Sequence, residues 1–228
     1  MIKKNPFSYF SNRLNNSPLI KNTLVVTLGT GIAQAFPMIS YPILARIFSP
    51  AEFGLLAIVT SLVPIIAVIS SGAYEGGIIL SKSKKSSINL VVYIFIRSII
   101  FLTGFFIIFV VFNNLIVNLL NEPNLKYWLL TVPLISFGAI IYNISNEWFI
   151  KYKYFPSLSL NKALYTISNV LFKLFFGLAN LLKSGGLIIG DILGKIFIVT
   201  FIFIRFFNLE KKFYREISKK EVKESPKE

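Results

Sequence analysis

The feature that most constrains this chain is a succession of apolar blocks, each roughly twenty residues long, which is the length that crosses the hydrocarbon core of a bilayer. Charged residues make up only 15% of the 228 residues. A typical soluble domain carries about 25%, so this chain has too little polar surface to cover a water-soluble globule. The sequence therefore predicts an all-α, polytopic membrane protein.

The apolar blocks and the Pro, Gly and Ser residues between them divide the chain into six predicted spans. The connections are too short to hold a folded aqueous domain. We predict an interfacial amphipathic segment at 1–23, a six-helix transmembrane bundle at 24–207 and a charged cytoplasmic tail at 208–228. The predicted spans are 24–47, 53–73, 88–112, 127–150, 160–182 and 187–207.

The basic residues predict an orientation for these spans. Most of the 24 Lys and Arg residues lie before span one, between spans two and three, between spans four and five, and after span six. Cytoplasmic connections carry the excess of Lys and Arg, so both termini are expected in the cytoplasm. Because the net charge of +14 lies beside apolar blocks, the expected neighbours are anionic membrane lipids and not nucleic acid.

The residues that the chain lacks exclude several kinds of site. There is no Cys and no His, which excludes zinc sites of the usual kind, thiol nucleophiles, disulfides and Ser-His-Asp triads. Glu75, Glu122 and Glu147 lie at the ends of different spans, too scattered in the sequence to predict a carboxylate pair. We therefore expect no catalytic residues, no metal and no cofactor, and the chain is not expected to be an enzyme.

Charged residues inside the spans are the best candidates for function, because such residues are costly and rarely face lipid. Arg97, Lys173 and Lys195 come from three spans and fall in one belt near the middle of the membrane, with Asp191 one turn from Lys195. In one interpretation Asp191 and Lys195 neutralise each other, while Arg97 and Lys173 extend toward an interface. In the other, which we favour, the belt lines a polar cavity that attracts an anion.

Prolines also fall inside the predicted spans: Pro37 and Pro42 in the first, Pro64 in the second and Pro133 in the fourth. Each is expected to kink or unwind its helix, as in the broken helices of transporters. Proline is also generally more frequent in membrane helices than in soluble ones, so this signal alone leaves both interpretations open.

Four segments in register carry a family resemblance: YPILARIFSPAEFGLLAI at 41–58, SSGAYEGGIILSK at 70–82, NEWFIKYKYFPSLS at 146–159 and GLIIGDILGKIF at 186–197. The chain resembles the oligosaccharide flippases, which are the O-antigen and polysaccharide exporters of the multidrug/oligosaccharidyl-lipid/polysaccharide exporter superfamily. The residues that match the pattern between the first two helices of that family are Leu44, Arg46, Pro50, Glu52, Phe53 and Gly54.

Some of these motif residues also have local structural roles by elementary rules. Ser49, Pro50 and Glu52 predict a helix start, with a capping side chain, a proline in the first turn and an acid near the positive helix end. Gly54 is expected to let span two pack closely on a neighbour. Arg46 is expected either to pair with Glu52 or to meet lipid phosphates, and a structural role is favoured.

The resemblance implies one lobe of a two-lobed flippase in the inner membrane, since the similar segments correspond to the first lobe of that family. A second copy or a separate second half is the expected partner. The implied substrate is a polyprenyl-pyrophosphate-linked oligosaccharide for O-antigen, lipopolysaccharide or another surface polysaccharide, and its pyrophosphate would be drawn to Arg97, Lys173 and Lys195. Asp191 or Glu147 would serve any proton coupling. The alternatives are a small-molecule exporter of the same superfamily and a non-transporting membrane subunit.

Overall fold

Long helices make up most of the protein. The structure is a computed structural model that describes residues 18–179 and 185–224. No strand occurs within these residues, so the all-α class is confirmed. Short helical segments at Tyr74–Gly76, Gly77–Leu80, Asn113–Leu119, Leu125–Trp128 and Leu129–Thr131 connect some of the long helices. The long helices are α1 (Pro18–Ile47), α2 (Pro50–Ser71), α3 (Lys84–Val111), α4 (Val132–Lys151), α5 (Phe155–Leu178) and α6 (Gly186–Glu224).

Four of the six predicted spans coincide with segments that are long and apolar enough to cross a membrane. The chain is thus a polytopic membrane protein. The helices α1 and α5, at 30 and 24 residues, are long enough to cross but more polar, so the count of six stays a prediction. The four qualifying segments are Pro50–Ser71, Lys84–Val111, Leu125–Lys151 and Gly186–Arg205.

The polar residues of α5 face the interior of the bundle. Leu160, Leu171, Phe175 and Leu178 are exposed, so the outer face of this helix is apolar. Polar side chains inside a membrane bundle normally avoid lipid in this way. The arrangement explains why a helix can be polar in average composition and still suit a membrane. The buried polar residues of α5 are Ser157, Ser159, Asn161, Ser168 and Lys173.

The helices pack in two groups. The helix α5 lies between α1 and α6, while α2 packs against α3 and α4, and α4 also contacts α5 and α6. The apolar core is built mainly from α2 and α4, and the ends of α1 and α6 add Leu44, Phe48, Leu187 and Ile188. The outer face of α3 is apolar and exposed, as expected for lipid contact.

The predicted start of α2 is confirmed. The backbone N–H of Ser49 donates to Glu52 Oε2 at 2.7 Å, and the backbone N–H of Glu52 donates to Ser49 Oγ at 3.4 Å. Pro50 occupies the first turn, where no intrahelical partner for its nitrogen is needed. The reciprocal bonds form a capping box, which satisfies two amides that the helix itself leaves free.

The expectations for Gly54 and for an Arg46–Glu52 pair were wrong within the described residues. Gly54 is exposed, and a Cβ placed on it would meet nothing within 4 Å, so it mediates no close packing there. Arg46 is exposed and forms no salt bridge with Glu52, whose carboxylate is held by Ser49 instead. Phe53 does contact the core, with its ring centroid 6.4 Å from that of Tyr41.

The prolines in the predicted spans do not all affect their helices in the same way. Pro37 and Pro42 lie within the continuous helix α1, and Pro64 lies within α2. Pro133 lies in the first turn of α4, directly after the 3₁₀ segment Leu129–Thr131, so the fourth predicted span is interrupted near this proline as expected. A proline is tolerated there because its missing N–H would have had no helical partner.

The two ends of the predicted organisation have different outcomes. Residues 1–17, which make up most of the predicted interfacial segment 1–23, lie outside the described residues. The connection 180–184, which contains Lys183, also lies outside them. The backbone of α6 continues as one helix through Glu224, so most of the predicted charged tail is helical. The cytoplasmic location of these ends stays a prediction.

Lys151 at the end of α4 ties that helix to the connection between α2 and α3. Its ammonium donates to the carbonyls of Ile78 at 2.9 Å and Ser81 at 2.7 Å. It also donates to the hydroxyls of Ser81 and Ser87, the latter at 2.6 Å. A Lys ammonium has three protons, so this network uses its full donor capacity.

Replacing Lys151 with Met should destabilise the protein by about 2–3 kcal/mol, because charge-assisted hydrogen bonds contribute about 1.5–3 kcal/mol and two carbonyls lose their donor. The measurement is unfolding of the purified protein in detergent. Lys126→Met is the matched control, since Lys126 is exposed. Equal unfolding midpoints for the two variants would show that the network does not contribute.

Candidate functional site

A glycine stripe brings α5 and α6 into backbone contact. Gly190 and Gly194 are four residues apart and so lie on one face of α6. A Cβ on Gly190 would lie 2.7 Å from the backbone nitrogen of Lys173, and one on Gly194 would lie 2.7 Å from Cα of Asn169. Membrane helices use such small residues to approach closely. The sequence analysis overlooked this stripe, although the spacing is readable in GDILG.

The close approach of α5 and α6 creates a buried charged cluster around Asp191. Lys195 donates to Asp191 Oδ2 at 2.9 Å, and Asn169 donates through Nδ2 to Oδ1 at 2.8 Å. The ammonium of Lys173 lies 3.5 Å from Oδ1. We call Asn169, Lys173, Asp191 and Lys195 the Asp191 cluster. It brings together three of the charged residues that the sequence singled out.

The Asp191 cluster carries excess positive charge, because one carboxylate faces two ammonium groups. The side chains of Lys173 and Asp191 are 7% and 8% exposed, and that of Lys195 is 14% exposed. The structure therefore forms the Asp191–Lys195 pair of the first interpretation. Lys173 joins that pair and does not extend to an interface. Of the two lysines, Lys195 has the more accessible side chain.

Arg97 lies in a different environment from the two lysines. Its guanidinium carbon lies 4.7 Å from the ring centroid of Phe101 and 5.5 Å from that of Tyr74. A Cβ on Gly72 would collide with the guanidinium, so this glycine makes room for it. The Nη1 atom is buried and has no hydrogen-bond partner among the described residues. The guanidinium is thus held by aromatic rings and keeps an unused donor.

Two of the acids that the sequence analysis treated as scattered, Glu75 and Glu147, lie on elements that pack against each other. Glu75 lies in the helical turn Tyr74–Gly76, and this turn packs against α3 and α4. Glu75 is 8% exposed, and Glu147 on α4 is partly exposed. The expectation that these residues form no catalytic carboxylate pair stays a prediction.

Polar side chains extend from the Asp191 cluster to α4 through the interior of the bundle. Tyr165 on α5 interacts electrostatically with Asp191, and its ring centroid lies 5.2 Å from that of Tyr142 on α4. Asn146 is one turn further along α4, close to the Tyr142 hydroxyl, and precedes Glu147. These residues give the bundle a polar interior between α4, α5 and α6.

The fold and this interior define a class: a polytopic helical membrane protein that keeps several charged residues inside its bundle. Residues 19–226 match the family described as polysaccharide biosynthesis protein. The chain belongs to that family, and the match supports the resemblance to the polysaccharide flippases. The protein therefore has a role in polysaccharide biosynthesis or export. No curated protein matches the chain, and no solved structure does.

Proposed function

We propose that the chain forms one lobe of a flippase that translocates a polyprenyl-pyrophosphate-linked oligosaccharide across the inner membrane. The product would be O-antigen for lipopolysaccharide or another surface polysaccharide. The family supports the general role, and the charged interior supports the anionic substrate. In this mechanism the pyrophosphate and glycan occupy the polar interior, while the lipid chain stays in the bilayer.

One observation carries the proposal: the excess positive charge of the Asp191 cluster. Asp191 compensates one of its two lysines, so the cluster retains the charge of one cation inside a membrane bundle. An uncompensated intramembrane cation is costly unless it serves an anion. The ammonium of Lys195, which is the more exposed one, would contact the pyrophosphate, and Lys173 would hold Asp191 in place.

Arg97 would supply a second contact to the substrate. A guanidinium binds phosphate oxygens through pairs of parallel hydrogen bonds, and the buried Nη1 atom of Arg97 has no partner among the described residues. The stacking on Tyr74 and Phe101 fixes the plane of the group, which would orient its free donor. Arg97 and the Asp191 cluster contact different residues, so each would bind its own part of an extended substrate.

A lobe of this kind lines only one side of a translocation cavity and needs a second lobe to close it. Alternating access moves one bundle against another around a site at their interface. We propose that a second copy or a separate second half covers the polar interior, with both termini of this chain in the cytoplasm. Cross-linking in nanodiscs through Cys residues introduced beside Lys195 tests this association, because the natural chain has no Cys.

The proposed function is tested by measuring the export of surface polysaccharide in a flippase-deficient strain that carries this gene. Replacing Lys195 or Arg97 with Gln should lower surface polysaccharide about tenfold or more, because a charge-assisted hydrogen bond contributes about 1.5–3 kcal/mol. The measurement is surface glycan per unit of membrane-inserted protein. Lys126→Gln, which changes an exposed cation, is the control.

Full export by the Arg97→Gln, Lys195→Gln double variant would show that neither cation takes part in substrate binding. Full export by Lys173→Leu would assign Lys173 a packing role only. If the wild-type chain supports no export even with a second half present, a non-transporting subunit becomes the better description. Export of small cations in place of glycan would favour the other branch of the superfamily.

A further inference from the structure

We propose that the segment at residues 74–80 is a lid that covers the guanidinium of Arg97 and is held shut by Lys151. With the lid shut, the unused donor of Arg97 is out of reach of solutes. With the lid open, an anion can bind to it. The lid itself is argued from contacts within this chain, and it rests on the proposed function only for the identity of that anion.

The lid continues α2 alongside α3 as the second piece of a broken helix. Gly72, directly after α2, lies against Arg97 of α3, and the hydroxyls of Ser81 and Ser87 are 2.7 Å apart. Arg97 and Ser87 are ten residues apart on α3, so the segment between these two contacts follows α3 over about 15 Å. The sequence analysis placed this stretch in a connection after span two. Broken helices of this kind are where transporters bind their substrates and ions.

Two residues in the left-handed backbone region separate the lid from α2. The angle φ is +69° at Gly72 and +57° at Ala73. The backbone N–H of Gly72 donates to the carbonyl of Val68 at 2.8 Å and so closes the last turn of α2. Hinges in proteins are a few residues at the ends of elements that absorb large changes in φ and ψ. The pair of residues at 72 and 73 meets this description.

The hinge and the lid together cover the unused donor of Arg97. A Cβ on Gly72 would collide with Nη1 of Arg97 and would lie 3.0 Å from Cε2 of Tyr74. The ring centroid of Tyr74 lies 5.5 Å from the guanidinium carbon. The Nη1 atom is buried and has no hydrogen-bond partner among the described residues. A buried donor of a charged group is costly to leave unpaired, so an anion that reached Arg97 would stabilise the open lid.

Lys151 of α4 holds the far end of the lid. Its ammonium donates to the carbonyl of Ile78, inside the lid, at 2.9 Å and to the carbonyl of Ser81, directly after the lid, at 2.7 Å. It also donates to the hydroxyl of Ser87 on α3 at 2.6 Å. One side chain therefore joins the lid to both neighbouring helices, and its removal should release the shut state.

Apart from this latch, little apolar contact holds the lid. Ile78 is the one buried apolar side chain within residues 74–80, whereas Tyr74, Ile79 and Leu80 are 41–83% exposed. The other buried side chain is the acid Glu75, which adds no apolar contact. Segments with few buried apolar contacts open at a low cost in free energy. The lid can therefore move while α2 and α4 stay folded.

Thiol labelling measures the opening of the lid, because the natural chain has no Cys. Arg97→Cys places a thiol under the lid in the full-length protein in nanodiscs, and the rate of reaction with a small water-soluble methanethiosulfonate is recorded. Adding Lys151→Met should raise this rate about tenfold or more, because it removes several charge-assisted hydrogen bonds. Lys82→Met is the matched control, since Lys82 is exposed and lies next to Ser81, and it should leave the rate unchanged.

A second reporter distinguishes opening of the lid from loosening of the whole protein. Val59→Cys places a thiol in the core of α2, outside the lid, at a side chain that is 1% exposed. Lys151→Met should leave the labelling of this thiol slow. If the thiols at positions 59 and 97 become reactive together, Lys151 supports the fold as a whole and the lid proposal is wrong.

The opposite change should lock the lid. Ser81→Cys with Ser87→Cys places two thiols where the hydroxyls are 2.7 Å apart, so oxidation can join them. In the Lys151→Met background this disulfide should return the labelling at position 97 to the slow rate, and reduction should restore the fast one. A locked protein that labels as fast as the reduced one, or equal rates for Lys151→Met and Lys82→Met, would overturn the proposal. No glycan is used, so this result and the export test can fail independently.

Discussion

Replacing Asp191 with Asn is expected to destabilise the protein by about 3–5 kcal/mol, the cost of removing one partner from a buried ion pair. The carboxylate accepts from Lys195 and Asn169 and faces Lys173, all within a nearly closed interior. Asn keeps the size of the side chain and removes the charge, so two buried lysines lose their only carboxylate within the described residues. The measurement is unfolding by denaturing detergent, together with the amount of membrane-inserted protein.

A second substitution distinguishes the charge from the shape of Asp191. Adding Lys195→Met to Asp191→Asn restores the net charge of the cluster, so the double variant should recover part of the lost stability. Glu122→Asn serves as the control, since Glu122 lies in a connection and its carboxylate has an exposed partner in Asn124. If Asp191→Asn alone unfolds like the wild-type protein, the lysines do not depend on the carboxylate.

Adding one methyl group to the glycine stripe is the other change with a large expected effect. The Cβ of Ala at position 194 would lie 2.7 Å from Cα of Asn169, and at position 190 it would lie 2.7 Å from the backbone nitrogen of Lys173. Backbone atoms cannot turn aside as a side chain can, so the helices must separate. We expect Gly190→Ala and Gly194→Ala each to cost about 1–3 kcal/mol.

Gly104 in the middle of α3 provides a control with the opposite expected sign. A Cβ on Gly104 would meet nothing within 4 Å, and Ala favours a helix by up to about 1 kcal/mol relative to Gly. Gly104→Ala should therefore leave the unfolding midpoint unchanged or raise it. The stripe has no packing role if all three alanine variants behave alike.

The helices could be predicted from the sequence because their signals are local. The runs of apolar residues predict the positions of α2, α3, α4 and α6, and Ser49 with Glu52 predicts the start of α2 to the residue. The errors also have local reasons. Gly54 was expected to make a close contact and Arg46 to pair with Glu52, but the sequence does not show that Gly54 faces open space or that Ser49 holds the Glu52 carboxylate. The sequence does not show that the polar residues of α5 are buried against its neighbours, so its average composition understates how well it suits a membrane.

The site was harder to predict because its members meet through packing. The Asp191–Lys195 pair lies on one helix, so the spacing of four residues was sufficient to predict the pair. The place of Lys173 depends on how closely α5 approaches α6, which the glycine spacing could have indicated. Nothing in the sequence predicts how the chain turns after α2, where φ is +69° at Gly72 and +57° at Ala73.

The contact between α5 and α6 has a consequence for motion. Their backbones touch at Gly190 and Gly194, and the carboxylate of Asp191 holds a lysine from each helix. Sliding one helix past the other would bring side chains into the glycine positions and would break the Lys173–Asp191 ion pair and the Asn169–Asp191 hydrogen bond. Any conformational change of this bundle must therefore carry α5 and α6 as one rigid body, with the hinges elsewhere.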